Sequence, residues 1–324
     1  MMEMTDSGTP ALEATVVSDP LSRLPVGTRI QSRSIVFGSS DAKAVPDGVT
    51  NLEFFEGSVV LVGVRHDSES QDVIGTAVMI APGLAITANH VLVDDFEALA
   101  AGEKAAFLVG VRKGSLDLWR LRSISYDNRG DIAYLSVELM SPLTPDWDFT
   151  SIALTTRCPL EGESVTIIGF RRATVALKQG GGVEALAQLL AARGTVRAVF
   201  HPYRNQILWP YPSIVIDCGS LGGMSGGAVL DDDGLLVGVV ARGLQTEDRR
   251  GPTNAAWIVG GLNRSVTIPW PPGVYGSDPI HLMRIPHRAL RIVGRDAVTV
   301  VNETRDAYSL WPDGARLRRP GDEI

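Results

Sequence analysis

Three short segments of the sequence contain the residue types that acyl transfer by a serine nucleophile requires. They are Thr87-Ala88-Asn89-His90, Gly130-Asp131-Ile132-Ala133-Tyr134-Leu135 and Gly222-Gly223-Met224-Ser225-Gly226-Gly227-Ala228. Serine is a poor nucleophile unless a base removes its proton, histidine is the commonest general base, and a buried carboxylate orients such a histidine. The three segments together therefore predict a catalytic unit of His90, Asp131 and Ser225.

Glycines surround Ser225 and suggest how the attacked carbonyl would be stabilised. A tight glycine-rich loop can direct successive backbone N–H groups at a developing oxyanion, with φ values that other residues resist. Apolar runs on both sides, Ile214–Ile216 and Ala228–Leu230, argue against a flexible linker. The segment does not have the strand-to-helix context of the nucleophile elbow in α/β hydrolases. We therefore interpret it as a loop that presents a nucleophilic serine.

Short strands are predicted to position these residues, since the chain contains 34 glycines and 19 prolines that punctuate apolar runs. Two sets of about six strands predict two antiparallel barrels or a pair of sandwiches. The first set is Ser58–Arg65, Gly75–Ile80, Leu84–Thr87, Ala105–Val111, Trp119–Ser125 and Asp131–Val137. The second set is Ser164–Phe170, Gly194–Phe200, Ser213–Asp217, Gly227–Leu230, Leu235–Ala241 and Asn254–Val259.

Two helices are predicted among the strands, a short one at Asp94–Ala101 and a longer one at Val183–Arg193. In the longer segment a helical period places Val183, Leu186, Leu189 and Leu190 on one face, with Gly194 as the C-terminal stop.

The run Val73–Val93 has no charged residue and is long enough to cross a bilayer. Pro82-Gly83 in its middle is a turn signal between two β-branched runs, so two buried strands joined by a turn are predicted instead.

Composition excludes several classes of protein. The net charge of −7 argues against nucleic acid as a partner, because phosphate binding needs a basic surface. Two cysteines make no disulfide framework and match no zinc site, and the acidic start shows no secretory signal. The sequence thus predicts a soluble cytoplasmic enzyme with no membrane partner. Its expected divisions are an N-terminal extension (1–50), two barrels (51–148 and 149–262) and a C-terminal extension without an assigned role (263–324).

These motifs, with Gly238-Val239-Val240-Ala241-Arg242-Gly243, resemble those of the trypsin-like serine proteases, especially the disulfide-poor bacterial type related to HtrA proteases. The resemblance covers about residues 54–262. It implies an all-β fold of two six-stranded antiparallel barrels, with the active site in the cleft between them and a polypeptide as substrate. It assigns the nucleophile to Ser225, the general base to His90 and the orienting carboxylate to Asp131. The oxyanion hole would be the N–H groups of Gly223 and Ser225, and the chemistry needs no metal or cofactor.

The same resemblance locates the pocket for the residue that supplies the attacked carbonyl. Its floor would be Gly219 with Ser220 beside it, and Gly243 would leave one wall open. No carboxylate stands there to pair with a buried cation, so cleavage after uncharged residues is predicted. Arg242 is interpreted either as a site for acidic residues further upstream in the substrate or as an ordinary surface arginine.

The sequence also departs from the family at functionally important positions. Met224 replaces the aspartate that pairs with a newly cut N-terminus in digestive proteases, and Ala241 replaces a serine that commonly supports the triad aspartate.

Cys158 and Cys218 are predicted to be free buried thiols rather than a bridge. We therefore expect a latent protease controlled by an activating protein or ligand that binds the apolar face of the helix Val183–Arg193. A static packing helix, and a non-cleaving scaffold that kept the barrels, are the alternatives.

Overall fold

A computed structural model of the chain describes residues 12–15, 29–36, 44–49, 52–66, 71–126, 130–142, 148–177, 182–243, 251–304, 307–312 and 318. The N-terminal region contributes three short strands, β1 (Leu12–Thr15), β2 (Ile30–Arg33) and β3 (Asp47–Gly48). Each of them pairs with a strand from the second half of the chain.

The first half of the chain forms a closed antiparallel barrel of six strands. They are β4 (Val59–Arg65), β5 (Gln71–Ala81), β6 (Leu84–Thr87), β7 (Ala105–Arg112), β8 (Ser115–Tyr126) and β9 (Ala133–Leu139). The uncharged run Val73–Val93 contains β5 and β6 with a turn at Pro82-Gly83, which confirms the predicted pair of strands. Among the described residues, no helix has the length and apolar character needed to cross a membrane.

The short helix predicted before β7 is also present. It is α1 (Phe96–Ala101), and it follows a 3-10 turn at Val93–Asp95, which is why it begins two residues later than predicted. Gly102 ends the helix with a left-handed φ of 73°, a conformation that costs glycine little.

The second half of the chain begins with two short strands, β10 (Phe149–Ile152) and β11 (Leu154–Thr155), and then closes a second barrel. Its six strands are β12 (Ser164–Leu177), β13 (Gly182–Phe200), β14 (Ser213–Ile216), β15 (Ala228–Leu230), β16 (Leu236–Gly243) and β17 (Thr253–Trp257). Pairing of β15 with both β12 and β16 completes the ring. The two predicted six-stranded barrels are confirmed, and the sandwich alternative is wrong.

The helix predicted at Val183–Arg193 is wrong, because this segment is the first part of β13. It pairs with β12 in a long hairpin, with Leu177 opposite Val183 and Val165 opposite Gly194. The run is rich in helix-forming Ala, Leu and Gln, but the hydrogen bonds of the hairpin override that weak preference. Val183, Ala185 and Leu189 are buried whereas Leu186 is exposed, as a strand period requires. The apolar helical face that the sequence predicted as the binding site for an activator is therefore absent from this segment.

The C-terminal residues contact both barrels. After a 3-10 turn at Ile258–Gly261 they form β18 (Ser265–Val266), β19 (Ile280–His281), β20 (Ile292–Val293), β21 (Val298–Thr304) and β22 (Ala307–Pro312). Trp270 packs edge-on against Trp119 of the first barrel, with ring centroids 5.6 Å apart. Strand β20 pairs with β11 of the second half. The strand predicted at Ala297–Val301 overlaps β21.

Both cysteines are free and buried, as predicted. Burial raises the pKa of each thiol to about 12. Because only the thiolate is nucleophilic, a pKa of 12 leaves about one thiol in ten thousand reactive at pH 8. We expect neither Cys158 nor Cys218 to react with Ellman's reagent in the folded protein at pH 8, and both to react after unfolding in guanidinium chloride. Rapid reaction of one equivalent without denaturant would contradict this expectation.

Candidate active site

The first barrel brings His90 and Asp131 together through the pairing of β6 with β9. Thr87, the last residue of β6, lies opposite Ala133, the first residue of β9. His90 follows β6 in a 3-10 turn at Asn89–Val91, and Asp131 precedes β9. Two residues that are 41 positions apart in sequence therefore meet at one end of the barrel.

Asp131 binds His90 at both the ring and the backbone. His90 Nδ1 lies 2.8 Å from Asp131 Oδ2 and 3.0 Å from Oδ1, and the backbone N–H of His90 donates to Oδ1 at 3.0 Å. The side chain of Asp131 is only 9% exposed, whereas that of His90 is 28% exposed. A carboxylate held in this way fixes the ring orientation and leaves the opposite nitrogen, Nε2, available to a substrate-side group.

The sequence did not point to Tyr211, which also contacts Asp131. Burial raises the pKa of the Tyr211 phenol, and the Asp131 carboxylate raises it further through its charge and by accepting a hydrogen bond from the phenol. The positive charge of Arg242 lowers the pKa of the same phenol, so the guanidinium also lies near Tyr211. Tyr211 therefore lies beside the Asp131 carboxylate. The alanine at position 241, where relatives commonly have a serine, was the only signal in the sequence that a different donor could stand there.

Ser225 lies in a loop of the second barrel, residues 221–227, which we call the serine loop. Its hydroxyl donates to the carbonyl oxygen of Ala241 at 3.2 Å. Gly75 of the first barrel packs against this loop, because a Cβ at Gly75 would lie 3.0 Å from the Ser225 carbonyl and 2.8 Å from Val91 Cγ1. Gly75 therefore contacts both Val91, the residue after His90, and the backbone of Ser225. This arrangement brings the histidine and the serine to the boundary between the barrels.

Among the described residues, three N–H groups of the serine loop have no protein acceptor, those of Gly222, Gly223 and Ser225, and the last two are the predicted oxyanion donors. The carbonyl of Met224 accepts from the N–H of Gly227 at 3.0 Å. Since the C=O and N–H of a trans peptide point in opposite directions, the N–H of Ser225 points away from that contact. Gly223 has a φ of 94°, which glycine adopts without strain. Both groups can therefore donate to a bound oxyanion.

Met224 anchors the serine loop in the core without any charge. It is fully buried, and Leu221 donates its N–H to the Met224 sulfur at 3.4 Å. Gly169 of β12 packs directly against it, with only 2.7 Å between a Cβ built there and Met224 Cα. An apolar contact thus holds this loop where digestive proteases use an ion pair.

The structure places Ser220 and Gly243, two of the predicted pocket residues, in contact with each other. The N–H of Gly219 donates to the carbonyl of Ala44 at 3.0 Å, and Ser220 is buried. The Ser220 hydroxyl occupies the space that a Cβ on Gly243 would take, and the open wall at Gly243 stays a prediction. The nearby carboxylate of Asp217 is exposed and pairs with Arg197 at 2.7 Å. No described carboxylate of this segment faces the pocket.

Within the described part of the chain, no three His, Cys, Asp or Glu side chains gather as metal ligands would.

Comparison with known proteins identifies the family. The family model of the trypsin-like peptidase domain matches residues 75–239, about half of the chain and all three catalytic candidates. The chain belongs to this family, and it is a serine-type endopeptidase of the hydrolase class. This confirms the resemblance seen in the sequence. No curated protein matches the chain by sequence.

Several solved structures are similar in fold. The inactive form of a serine-to-alanine mutant of Rv3671c from M. tuberculosis H37Rv is 18% identical with a TM-score of 0.41, over 67% of this chain and 92% of that one. Deg5 is 20% identical with a TM-score of 0.44, over 65% and 88% of the two chains. The HtrA-type protease AlgW with a decapeptide is 18% identical with a TM-score of 0.41, over 62% and 61%.

Proposed function

We propose that this endopeptidase cleaves peptide bonds with Ser225 as nucleophile, His90 as general base and acid, and Asp131 as the group that orients His90. The paired contact of Asp131 with the ring and backbone of His90, next to the serine loop, is the observation that carries the proposal. It supplies the one feature that separates a working histidine base from an ordinary surface histidine, a buried acceptor on Nδ1.

The reaction follows from these positions. The Ser225 hydroxyl turns from the Ala241 carbonyl to His90 Nε2, which takes its proton as Oγ attacks the substrate carbonyl. The N–H groups of Gly223 and Ser225 stabilise the oxyanion, and His90 then gives the proton to the leaving amine as the C–N bond breaks. Water, deprotonated by His90, hydrolyses the acyl-enzyme and restores the Ser225 hydroxyl.

Labelling with a fluorophosphonate probe tests this assignment. The wild-type chain should become covalently labelled, and the folded Ser225→Ala variant should not. Labelling of both to the same extent would place the nucleophile elsewhere. A folded wild-type chain that is never labelled, in the presence or absence of a cellular extract, would favour a scaffold that only binds polypeptides.

We further propose that the residue supplying the attacked carbonyl is small and uncharged. Gly219 and Ser220 provide no carboxylate, and the Ser220 hydroxyl packs against Gly243 where a long side chain would need room. The position of Arg242, exposed and near Tyr211, favours acidic residues further upstream in the substrate. This proposal specifies the substrate as a polypeptide with a small residue before the cleaved bond.

Profiling with a peptide library checks the pocket. Wild type should prefer Ala, Ser or Val before the cleaved bond and discriminate against Lys and Arg. Ser220→Ala should shift the preference toward larger apolar residues, because it removes the atom that fills the space beside Gly243. Strong cleavage after Lys or Arg by the wild-type chain would contradict both the charge and the size argument.

Tyr211→Phe isolates the hydrogen bond to Asp131, since the ring and its packing are retained. A hydrogen bond to a charged group contributes about 1.5–3 kcal/mol, so we expect kcat to fall by about ten- to a hundredfold. KM should change little, because Tyr211 acts through Asp131 and His90. As a control, Tyr203→Phe removes a phenol that accepts a hydrogen bond from Gln206 at 2.9 Å, and should retain wild-type kcat. Equal activity of Tyr211→Phe and wild type would contradict the contact's role.

Regulation is the third part of the proposal: the enzyme acts in the cytoplasm on few protein substrates and gains activity when a protein or ligand binds. Support comes from the resting hydroxyl of Ser225, which is bonded to Ala241 rather than to His90, and from the Ser220 hydroxyl, which packs against Gly243. Comparing the turnover of an optimal library peptide with and without cell extract tests this. An ordinary rate of about 1–1,000 per second for the purified chain alone would contradict latency.

A further inference from the structure

Thr76 joins the first barrel to the serine loop of the second barrel through a single buried side chain. It belongs to β5 and is completely buried. Its hydroxyl donates to the carbonyl oxygen of Gly223 at 2.8 Å and accepts from the N–H of Phe170 at 2.9 Å. Its backbone N–H donates to the carbonyl of Ser225, also at 2.8 Å. Every polar group of Thr76 is used, since its carbonyl accepts from the Thr87 hydroxyl at 2.7 Å.

These contacts determine the orientation of the peptide groups next to the nucleophile. The hydroxyl of Thr76 holds the carbonyl of Gly223, and the N–H of Thr76 holds the carbonyl of Ser225. Between these two peptides lies the one that contains the Ser225 N–H, a proposed oxyanion donor. Because peptide groups are planar, fixing the carbonyls of the two flanking peptides restricts the direction in which the N–H of the central peptide can point.

We propose that Thr76 is a positioning residue that keeps the serine loop in the arrangement able to bind the transition state; the inference rests on the proposed role of Ser225. The contact spans the barrel boundary, so it also ties the direction of the Ser225 N–H to the barrel that carries His90 and Asp131. Thr76 touches neither substrate nor reacting atoms. Its effect is exerted through the peptide groups of Gly223 and Ser225.

The test compares Thr76→Val, which removes the hydroxyl and keeps the branched shape, with Thr76→Ser, which keeps the hydroxyl. Removing an oxyanion donor outright costs about 10²–10³ in kcat, so loosening one should lower kcat by about 10- to 100-fold. Rates are expressed per active site, titrated with a fluorophosphonate probe, so that misfolded protein does not count. KM should stay close to wild type, and Thr76→Ser should restore most of kcat.

Affinity for a peptide boronic acid separates positioning from general stability. Its tetrahedral adduct with Ser225 resembles the transition state, so its affinity should fall by the same factor as kcat/KM in Thr76→Val. Thr156→Val is the matched control, because it removes another buried hydroxyl, bonded to the Gly294 carbonyl at 2.6 Å and remote from the serine loop. This control should lose stability and keep wild-type kcat and boronate affinity.

The outcomes distinguish this inference from the proposed function. If wild type is not labelled by the fluorophosphonate, Ser225 is not the nucleophile and the proposed function fails. If wild type is labelled and turns over while folded Thr76→Val keeps its kcat, or Thr156→Val loses as much, only the role of Thr76 is overturned. Thr76→Ala, which adds no atoms, replaces the valine variant should that one fail to fold. Failure of both to fold would assign the hydroxyl to folding and would also overturn the inference.

Discussion

Alanine in place of Ser225 or His90 is expected to lower turnover by about 10⁶-fold, and the double variant should be no worse than either single one. The residues act as a unit, because the nucleophile without its base is an ordinary alcohol and the base without its nucleophile has no proton to remove. Asp131→Asn should cost about 10⁴-fold, since an amide cannot hold the ring as the carboxylate on His90 Nδ1 does. Initial rates on a library-derived peptide measure all four variants.

The chain supplies a matched control for this experiment in a second histidine–aspartate pair. His66 Nε2 lies 2.9 Å from Asp72, at the surface of the first barrel, and the side chain of Asp72 is 70% exposed. His66→Ala and Asp72→Asn should keep wild-type turnover, because an exposed pair of this kind contributes little. Substantial activity in His90→Ala, or an equal loss in His66→Ala, would contradict the assignment of the base.

Gly226→Ala is expected to abolish activity by a different route. The φ of Gly226 is 81°, and a Cβ there would overlap the Thr87 hydroxyl and the Thr76 carbonyl, both buried. The serine loop would have to move away from the first barrel, displacing the N–H of Ser225 and the Ser225–Thr76 hydrogen bond. We expect at least a 100-fold loss of kcat and a fall of about 3 kcal/mol or more in the free energy of unfolding.

The variant Gly102→Ala separates the effect of backbone strain from that of steric overlap between the new Cβ and its neighbours. Gly102 has a similar φ of 73°, but no atom lies within 4 Å of a Cβ built there. This variant should lose about 1–2 kcal/mol of stability from the left-handed conformation alone and keep its kcat. Chemical denaturation and peptide turnover, measured on both glycine variants, decide the matter. A Gly226→Ala enzyme with normal kcat would show that the loop tolerates displacement.

Most of the barrel architecture could be predicted from the sequence because local signals determine it. Leu84–Thr87 was predicted with the bounds that the structure has, since an apolar β-branched run stands between a Pro-Gly turn and polar residues. The segment 183–193 was misassigned because its large apolar residues, Val183, Leu186, Leu189 and Leu190, fit a period of 3.6, although the structure leaves Leu186 exposed. Only the pairing with β12, which extends along most of this segment, favours a strand over a helix.

The catalytic candidates could likewise be predicted, because their residue types and flanking glycines are local features. Tyr211 and Thr76 could not be, since their importance comes from contacts between segments far apart in the chain. Tyr211 precedes β14 of the second barrel and reaches Asp131 of the first, and Thr76 reaches Gly223 in the other direction. Neither residue type distinguishes itself from the many tyrosines and threonines that simply fill a core. Which core residues face the boundary between the barrels depends on how the barrels pack.

The hydrogen bond of Ser225 to the Ala241 carbonyl determines how the Ser225 side chain divides its time between two rotamers, one bonded to Ala241 and one facing His90. A hydrogen bond of this kind contributes about 0.5–1.5 kcal/mol net, so the bonded rotamer outnumbers the one facing His90 by roughly 2- to 13-fold. The apparent rate falls by the competent fraction and by no more. An enzyme restrained only in this way would run about tenfold below its maximum, far from being switched off. An activator that merely freed the Ser225 hydroxyl would therefore raise the rate by about one power of ten at most, and any larger activation would have to come from reshaping the serine loop or the pocket beside Ser220.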